Sequence, residues 1–521
     1  MTAAQPSPEL RVLSFLAGGR AGEQNIYQAI GVEPVINCRG TFTIIGGSVE
    51  RPEVLAAMEA AAGFFVQYDE LAMAVGQRLA ELTGAEWGLV SSGCAAGMKH
   101  VTAACVTGGN PEKLIRIPDL TGCDKTQVIV PRFSRNAYDH AVRNIGVELV
   151  TVETLDELAH AISPRTAMIY VVTGGGTAAG QPFALQRIAQ LAAPRGIPIL
   201  ADAAAEDLTI PNVHLQAGAS AVTYSGGKAL CGPQCAGLVL GRKDLLMAAW
   251  QASAPHHGPG RDDKVGKEEI LGLLAAVEAW IARDHAAEWQ TWLSWLDTIA
   301  QAVAGIPSVE THVEQPGGLS NRAPTLVIGW DPAALQLTGE EVAEDCARHR
   351  PRIAVGAGEA RGKTCIRIAP NQMRPGDAEV VAARVQGILT ASQPPRPATL
   401  LPPAANVSGH WELRIQYFAS SSLHRLVLRQ EGNWVDGTHQ SDFSVQPLHG
   451  TVEGDQVRLR SDVHRPGDWV PFIFAGAATA DRLEGTVHLG EYLTATFVAS
   501  RVALEAPRRR VMVPGGPPLA T

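Results

Sequence analysis

The residue best suited to covalent chemistry is Lys228, in Ser225-Gly226-Gly227-Lys228-Ala229-Leu230, directly after the apolar run Ala221-Val222-Thr223-Tyr224. A lysine on a glycine turn at the carboxyl edge of a sheet sits where doubly wound folds place ligands. Its amine can condense with an aldehyde, and the glycines let the backbone approach a bulky group. Alone, the stretch reads more simply as a surface lysine on a turn. A second group, Asp202, ends the preceding apolar run in Leu200-Ala201-Asp202-Ala203-Ala204-Ala205-Glu206. A carboxylate there can keep a pyridine nitrogen protonated, so that the ring acts as an electron sink. Asp is also a favoured helix N-cap, but a cap leaves unexplained the spacing to Lys228 across one strand-helix-strand unit.

The third feature is Val90-Ser91-Ser92-Gly93-Cys94-Ala95-Ala96-Gly97, a strand end running into small residues and then a helical pattern. Backbone N–H groups at a helix N-terminus bind phosphate, and small side chains let it come close. Such loops are common. In combination and in this chain order, however, the three features supply a phosphate seat (Ser92, Gly93, Cys94), a ring-nitrogen partner (Asp202) and a Schiff-base lysine (Lys228), with Ser225 opening the lysine turn. The expected cofactor is pyridoxal 5'-phosphate.

The elements that must hold these groups read as alternating strands and helices. Met168-Ile169-Tyr170-Val171-Val172 is a short continuous apolar run entering Thr173-Gly174-Gly175-Gly176, as expected of a buried strand. Leu185, Ile188 and Leu191 then recur at helical spacing until Pro194-Arg195-Gly196 stops the helix. Ile197 to Ala201, Ala221 to Tyr224 and Gly237 to Leu240 are the next strands, and the repeat predicts right-handed crossovers in a layered, mainly parallel sheet. After Lys264, a helix is predicted with Ile270, Leu273, Leu274, Val277 and Ile281 on one face. Thr325 to Ile328 and Thr364 to Ile368 are strands of a smaller α+β domain.

A Pro-rich stretch around Ser392 to Pro403 cannot continue a sheet. Beyond it the period changes to two, in Trp411 to Tyr417 and Arg425 to Gln430, with Gly-Thr at 437, 450 and 485. This predicts an antiparallel meander closing into a barrel-like domain. The expected domains are an arm (1–32), a large cofactor-binding domain (33–305), a small domain (306–391), a linker (392–405), an all-β domain (406–505) and a tail (506–521). His410, Trp411, His439, Trp469 and Tyr492 could line a barrel mouth, which would suit a ligand-binding protein that has lost catalysis. They read more simply as core aromatics and solvated histidines.

The chain has 521 residues, 46% apolar and 18% charged, which is enough for more than one core and too little charged for wholesale disorder. A net charge of -9 argues against a nucleic-acid partner, since phosphate binding needs a concentrated basic surface. The one tight basic cluster, Arg508-Arg509-Arg510, reads as a solvated tail. No basic region followed by an apolar run opens the sequence, and no apolar stretch of about 20 residues exists, so neither export nor a membrane span is expected. Eight cysteines in so long a chain do not read as a disulfide framework. Gly232-Pro233 between Cys231 and Cys235 breaks any helix that could pair them on a metal. No metal is expected, and the location predicted is cytoplasmic.

Four stretches carry a family likeness: Val35-Ile36-Asn37-Cys38-Arg39-Gly40-Thr41, Asp202 to Glu206, Ser225 to Lys228 with Gly232-Pro233-Gln234, and Gly260-Arg261 with Lys264-Val265-Gly266-Lys267-Glu268. Through them, Glu33 to Ala391 resembles the fold-type I pyridoxal-phosphate enzymes of the selenocysteine synthase and D-glucosaminate-6-phosphate ammonia-lyase group. The resemblance implies a homodimer or larger assembly with active sites at subunit interfaces. It also implies that Arg261 and Lys264 reach a cofactor or substrate phosphate, where a solvated charge run is the competing reading. Arg367, in Cys365-Ile366-Arg367-Ile368, stands where such enzymes often hold a substrate carboxylate, a task suited to a bidentate guanidinium. One departure is visible. Relatives resembling the ammonia-lyase carry a histidine just before an Arg-Asn pair, whereas Ser134 precedes Arg135-Asn136 here, leaving Phe133 as the candidate to stack on the ring.

In such an enzyme the Cα–H of a bound amino acid is acidified and the displaced lysine is its base. On the resemblance, the expected reaction is α,β-elimination from an amino acid or amino-sugar acid. Racemisation or epimerisation is the runner-up, and aldol-type cleavage comes third. Selenium transfer to a seryl-tRNA is disfavoured by the acidic balance and by the lack of a tRNA-binding module.

Overall fold

Residues 167–171 are apolar at every position, which suits a strand covered on both faces. The structure, a computed structural model, describes residues 15–16, 25–394 and 399–503. It divides into two compact units, residues 1–395 and 396–521.

The first unit is built on a seven-stranded sheet. Following β1 (Val35–Asn37), its strands are β2 (Trp87–Ser91), β3 (Gln127–Pro131), β4 (Glu148–Val152), β5 (Thr166–Val172), β6 (Ile199–Asp202), β7 (Ala221–Ser225) and β8 (Gly237–Gly241), in the spatial order β2-β8-β7-β6-β5-β3-β4. Helices α1 (Pro52–Ala62), α2 (Tyr68–Thr83), α3 (Gly93–Thr107), α4 (Leu185–Ala192), α5 (Lys243–Ala252) and α6 (Lys267–Ala282) belong to the same unit. Ile169 and Val171 enter one hydrophobic cluster with Leu79 and Leu273, while Met168 and Tyr170 enter another with Val101 and Leu246, so both faces of the sheet are covered.

The sheet is parallel from β4 to β7, but β8 runs antiparallel to both β7 and β2. The expected strand-helix-strand order therefore stops at β7. The link between β7 and β8, residues 226–236, contains no helix, and a parallel pairing needs a crossover of a dozen or more residues, so the chain folds straight back. That fold-back is the Lys228 loop. In α6, Ile270, Leu273 and Val277 are buried as the spacing predicts, but Ile281 is exposed and Trp280 is the buried residue of the last turn.

Helix α7 (His285–Val303) leads to a four-stranded antiparallel sheet of β9 (Val309–Glu314), β10 (Thr325–Trp330), β12 (Gly356–Ala360) and β13 (Lys363–Ile368), in the order β12-β13-β10-β9. Helices α8 (Gly339–Arg348) and α9 (Asp377–Thr390) share its core, where Trp330, Val342, Ile366 and Val381 are buried. β11 (Arg352–Ala354) pairs in parallel with β1 as a separate two-stranded sheet, and Cys38 and Ile353 at that pairing enter the same core.

The second unit is a closed eight-stranded antiparallel barrel: β14 (Gly409–Gln416), β15 (Ser421–Glu431), β16 (Trp434–Gln440), β17 (Val445–Glu453), β18 (Gln456–Arg465), β19 (Asp468–Ala478), β20 (Arg482–His488) and β21 (Thr494–Val502). Pairing of β14 with β21, Arg414 opposite Val498, closes the ring and leaves no open edge. Trp411, Leu413 and Ile415 point inward, and Glu412 and Arg414 outward. Gly450 is required by close crossing, because a Cβ there would lie 1.9 Å from the Arg458 carbonyl oxygen.

The suggested aromatic barrel mouth does not form. Trp411 and His439 are buried inside, whereas Trp469 and Tyr492 are exposed. The interior instead holds a polar chain in which His424 Nδ1 lies 2.9 Å from His439 Nε2, and His439 Nδ1 lies 2.6 Å from Ser461 Oγ. The Arg508–Arg510 cluster and most of the predicted N-terminal arm fall outside the described residues.

Candidate active site

The carboxyl ends of β6 and β7 deliver the two central groups. β6 ends on Asp202, paired with Thr223 of β7, and β7 ends on Ser225, three residues before Lys228. On the other side, β2 ends at Ser91 and α3 begins at Gly93, whose φ of 81° is open to glycine at little cost. Gly237 of β8 lies so close that a Cβ on it would come within 2.6 Å of the Cys94 nitrogen. The start of α3, with its unbonded N–H groups, is thus held against the sheet edge.

These elements enclose a cleft of about 540 Å³ lined by Gly93, Cys94, Asp202, Ser225 and Lys228, among others. Asp202 is only 6% exposed. Its Oδ1 accepts from the Ala204 N–H at 3.1 Å and from the Cys94 thiol at 3.5 Å, and its Oδ2 accepts from the Tyr170 hydroxyl at 2.9 Å. No helix follows Asp202, so its side chain closes a turn and caps nothing. Burial pushes its pKa up, and the three donors and Lys228 oppose that shift only in part. Burial beside this carboxylate also holds the Cys94 thiol well above its ordinary pKa, so it stays a donor.

Among the described residues Asp202 forms no ion pair, and the Lys228 amine has no hydrogen bond or ion pair. Its ring neighbour is Tyr138, with Nζ 6.0 Å from the ring centroid. A buried carboxylate without a cation, a lysine without a partner and a helix N-terminus at one wall form a donor set that fits a phosphorylated pyridine aldehyde. A cleft of this size is also in the range of cofactor sites.

The other expected residues lie elsewhere. Ser92 is the N-cap residue of α3, with no side-chain bond to the helix and no place in the cleft wall. Phe133 is 47% exposed and packs edge-on against Phe183, with ring centroids 5.5 Å apart. It does not line the cleft, because the short 3-10 turn Arg132–Ser134 directs it toward Gly176. Ser134 is buried and accepts the Val172 N–H at 3.0 Å, supporting the end of β5. Arg367 is ion-paired with Glu314 of the neighbouring sheet region. Arg261 and Lys264 are exposed in the turns before α6, outside the cleft wall.

Tyr138 and Glu269 line the cleft and were not singled out by sequence reasoning, and Gln234, which also lines it, entered only through the Gly232-Pro233-Gln234 stretch, with no site role. Tyr138 had a usable signal. Asn136 precedes it and caps the turn, its Oδ1 accepting the Tyr138 N–H at 2.7 Å, an Asn geometry that fixes where the next aromatic points.

Parallel strands flanked by helices, a lysine on the fold-back loop and a buried carboxylate on the adjacent strand define the class of fold-type I pyridoxal-phosphate-dependent enzymes. The aminotransferase class-V family profile matches residues 135–261. The chain is 31% identical over 300 residues to the D-glucosaminate-6-phosphate ammonia lyase of Salmonella typhimurium, a match covering 56% of this chain and 78% of that protein. It therefore belongs to the family of that ammonia lyase. It is also 29% identical over 386 residues to the 5'-C-glycyluridine monooxygenase-decarboxylase of a Streptomyces species, covering 72% of this chain and 94% of the relative. The match to the L-seryl-tRNA(Sec) selenium transferase of Moorella thermoacetica is 26%, over 51% of this chain and 60% of that protein. A solved structure of D-glucosaminate-6-phosphate ammonia-lyase superposes with a TM-score of 0.62 at 27% identity, covering 71% of this chain and all of the other.

Among the described residues no helix is long and apolar enough to cross a membrane.

Proposed function

We propose that this protein is a pyridoxal-phosphate-dependent lyase that eliminates across the Cα–Cβ bond of an amino acid or amino-sugar acid. The observation carrying this reading is the cleft that Lys228, Asp202 and the start of α3 share, together with membership of an ammonia-lyase family. When bound, pyridoxal phosphate supplies an aldehyde for amine capture and a ring that withdraws electrons from Cα.

The chain's own groups do the rest. Lys228 would hold the aldehyde, and its Nζ would be the base for the Cα proton. Asp202 would hold a proton on the ring nitrogen, and the Tyr170 hydroxyl, the Cys94 thiol and the Ala204 N–H orient its carboxyl group and partly offset the burial that disfavours its charge. Gly93 and Cys94 offer N–H groups to the phosphate. Tyr138, whose ring centroid is 6.0 Å from Lys228 Nζ, would lie against the cofactor ring. Arg367 takes the substrate carboxylate, exchanging Glu314 for it, while Arg261 and Lys264 reach a phosphate on a neighbouring copy in a homo-oligomer.

Incubation of the purified protein, loaded with pyridoxal phosphate, with a panel of amino acids and amino-sugar acids including D-glucosaminate 6-phosphate tests the reading. Release of ammonia with an oxo acid, abolished by Lys228→Ala, is expected. Solvent deuterium entering Cα without ammonia release would instead assign epimerisation.

A further inference from the structure

A second cavity lies behind the Lys228 loop. It encloses about 430 Å³ between the start of α7, the segment after Ala204 and the loops before β10 and after β13. It shares no lining residue with the Lys228 cleft: Lys228 and Ala204 line that cleft, while Ala229 and Ala205 line this one. We propose that this cavity binds a neutral, hydroxyl-rich ring, a sugar unit carrying no phosphate or carboxylate.

Charge is the first argument. The cavity has two guanidiniums, and each already faces a carboxylate. Arg283 pairs with Glu288 at 3.6 Å, and Arg322 pairs with Asp207 at 3.4 Å. The Arg283 side chain is only 7% exposed, and it also donates to the carbonyl oxygens of Ala229 and Leu230 at 3.5 and 3.4 Å. His285 faces the Trp280 carbonyl oxygen at 3.0 Å. Glu288 is also paired with Arg51 at 3.3 Å, so an anion on Arg283 would cost that guanidinium its two carbonyl bonds and its share of Glu288, while an anion on Arg322 would leave Asp207 without its cation, which is costly. A cation would meet the same obstacle from the opposite sign.

What remains in the wall is amphipathic, with the Arg322 guanidinium carbon already 5.7 Å from the Trp289 ring centroid. Trp289 and Trp292, on the first turns of α7, have ring centroids 5.9 Å apart, inclined at 53°. The Asn321 and Gln290 side chains line the same space, and no group among the described residues hydrogen-bonds to either amide. An amide offers two donors and an acceptor, the complement of hydroxyl groups that both give and accept. An indole offers flat apolar area at low entropy cost. A sugar ring presents both surfaces, C–H groups on its faces and hydroxyls around its rim. A wholly apolar ligand would bury the amides unsatisfied.

Saturation-transfer NMR and calorimetry on the full-length holoenzyme, with methyl β-D-glucopyranoside, methyl β-D-galactopyranoside and N-acetylglucosamine as probes, decide the matter. At least one probe is expected to bind saturably, with a dissociation constant of about 1 mM, as a stacked ring and a few hydrogen bonds give a small ligand. Trp292→Ala and Asn321→Ala should each weaken it by roughly tenfold, about 1.4 kcal/mol. Lys228→Ala, which alters only the neighbouring cleft, should leave it unchanged, so that failure of the lyase reading and failure of this one remain distinguishable. If Trp292→Ala misfolds, Asn321→Ala on its exposed loop decides alone. Absence of saturable binding by all three probes, binding insensitive to the wall substitutions, or tighter binding of inorganic phosphate would each overturn the proposal.

Discussion

The Tyr170 hydroxyl donates a 2.9 Å hydrogen bond to Asp202 Oδ2 from the middle of the adjacent strand, and both residues are buried. Burial disfavours the charge on Asp202, so each donor that supports the carboxylate also supports its hold on a protonated ring nitrogen. Hydrogen bonds to charged groups contribute about 1.5–3 kcal/mol. Tyr170→Phe should therefore weaken pyridoxal-phosphate binding and lower kcat by roughly 10- to 100-fold, with KM for the amino substrate less affected. A variant with wild-type kcat and cofactor affinity would remove Tyr170 from the account.

Gly237 sets the position of the first turn of α3. A Cβ there would lie 2.3 Å from the Gly93 carbonyl carbon, so Gly237→Ala must push that turn away from the sheet. Affinity for pyridoxal phosphate should fall by at least about tenfold. Affinity for pyridoxal, which lacks the phosphate, should fall much less. Equal losses for the two compounds would argue that the start of α3 is not the phosphate seat.

Arg367 is held by Glu314 in the absence of substrate. If substrate carboxylate replaces Glu314, Arg367→Lys should raise KM by about tenfold or more with kcat little changed, because lysine cannot make the bidentate contact. Steady-state kinetics that show no rise in KM would leave Arg367 as a structural partner of Glu314.

The barrel carries its own pH dependence. Burial drives the His439 pKa down to about 3, with His424 beside it adding to the effect, and burial lowers His424 as well, although Asp442 opposes the shift. Phe472 and Phe474 wall the same site, with ring centroids 4.8 and 5.6 Å from His439. A histidine held neutral in the folded state takes up a proton on unfolding. Its stabilising contribution is present above the ordinary histidine pKa of about 6.5 and is lost as pH falls toward 3. Thermal unfolding of the barrel should therefore shift to lower temperature between about pH 6.5 and pH 4, and His439→Gln should flatten that dependence. An unchanged profile in the variant would assign the pH dependence to other groups.

Much of this architecture was readable from period alone. The apolar runs of β5, β6 and β7 and the alternation of β14 and β15 mark strands because burial on two faces or on one leaves that imprint. The reversal of β8 was harder to see, since a parallel and an antiparallel strand carry the same apolar run. Only the absence of a helix between Tyr224 and Gly237 signals it. Tyr138 was missed in favour of Phe133 because the two rings sit on separate short 3-10 turns, Arg132–Ser134 and Ala137–Asp139, of which only the second brings its ring to the cleft, and no periodicity reports that. The Arg367–Glu314 pair and the closure of β14 on β21 depend on residues far apart in the chain, where local pattern is silent. His424 did leave a trace, standing at an inward position of β15 in step with Leu426 and Leu428, but its partner His439 is a long-range pairing.

The central claim is that Lys228 carries the cofactor. Purified protein reconstituted with pyridoxal phosphate should be reduced with borohydride, digested and mapped by mass spectrometry. The account predicts loss of the visible absorbance and a pyridoxyl group fixed on the peptide containing Lys228, neither of which is seen in Lys228→Ala. A protein that stays colourless with added cofactor, or that carries the label on another lysine, would contradict it.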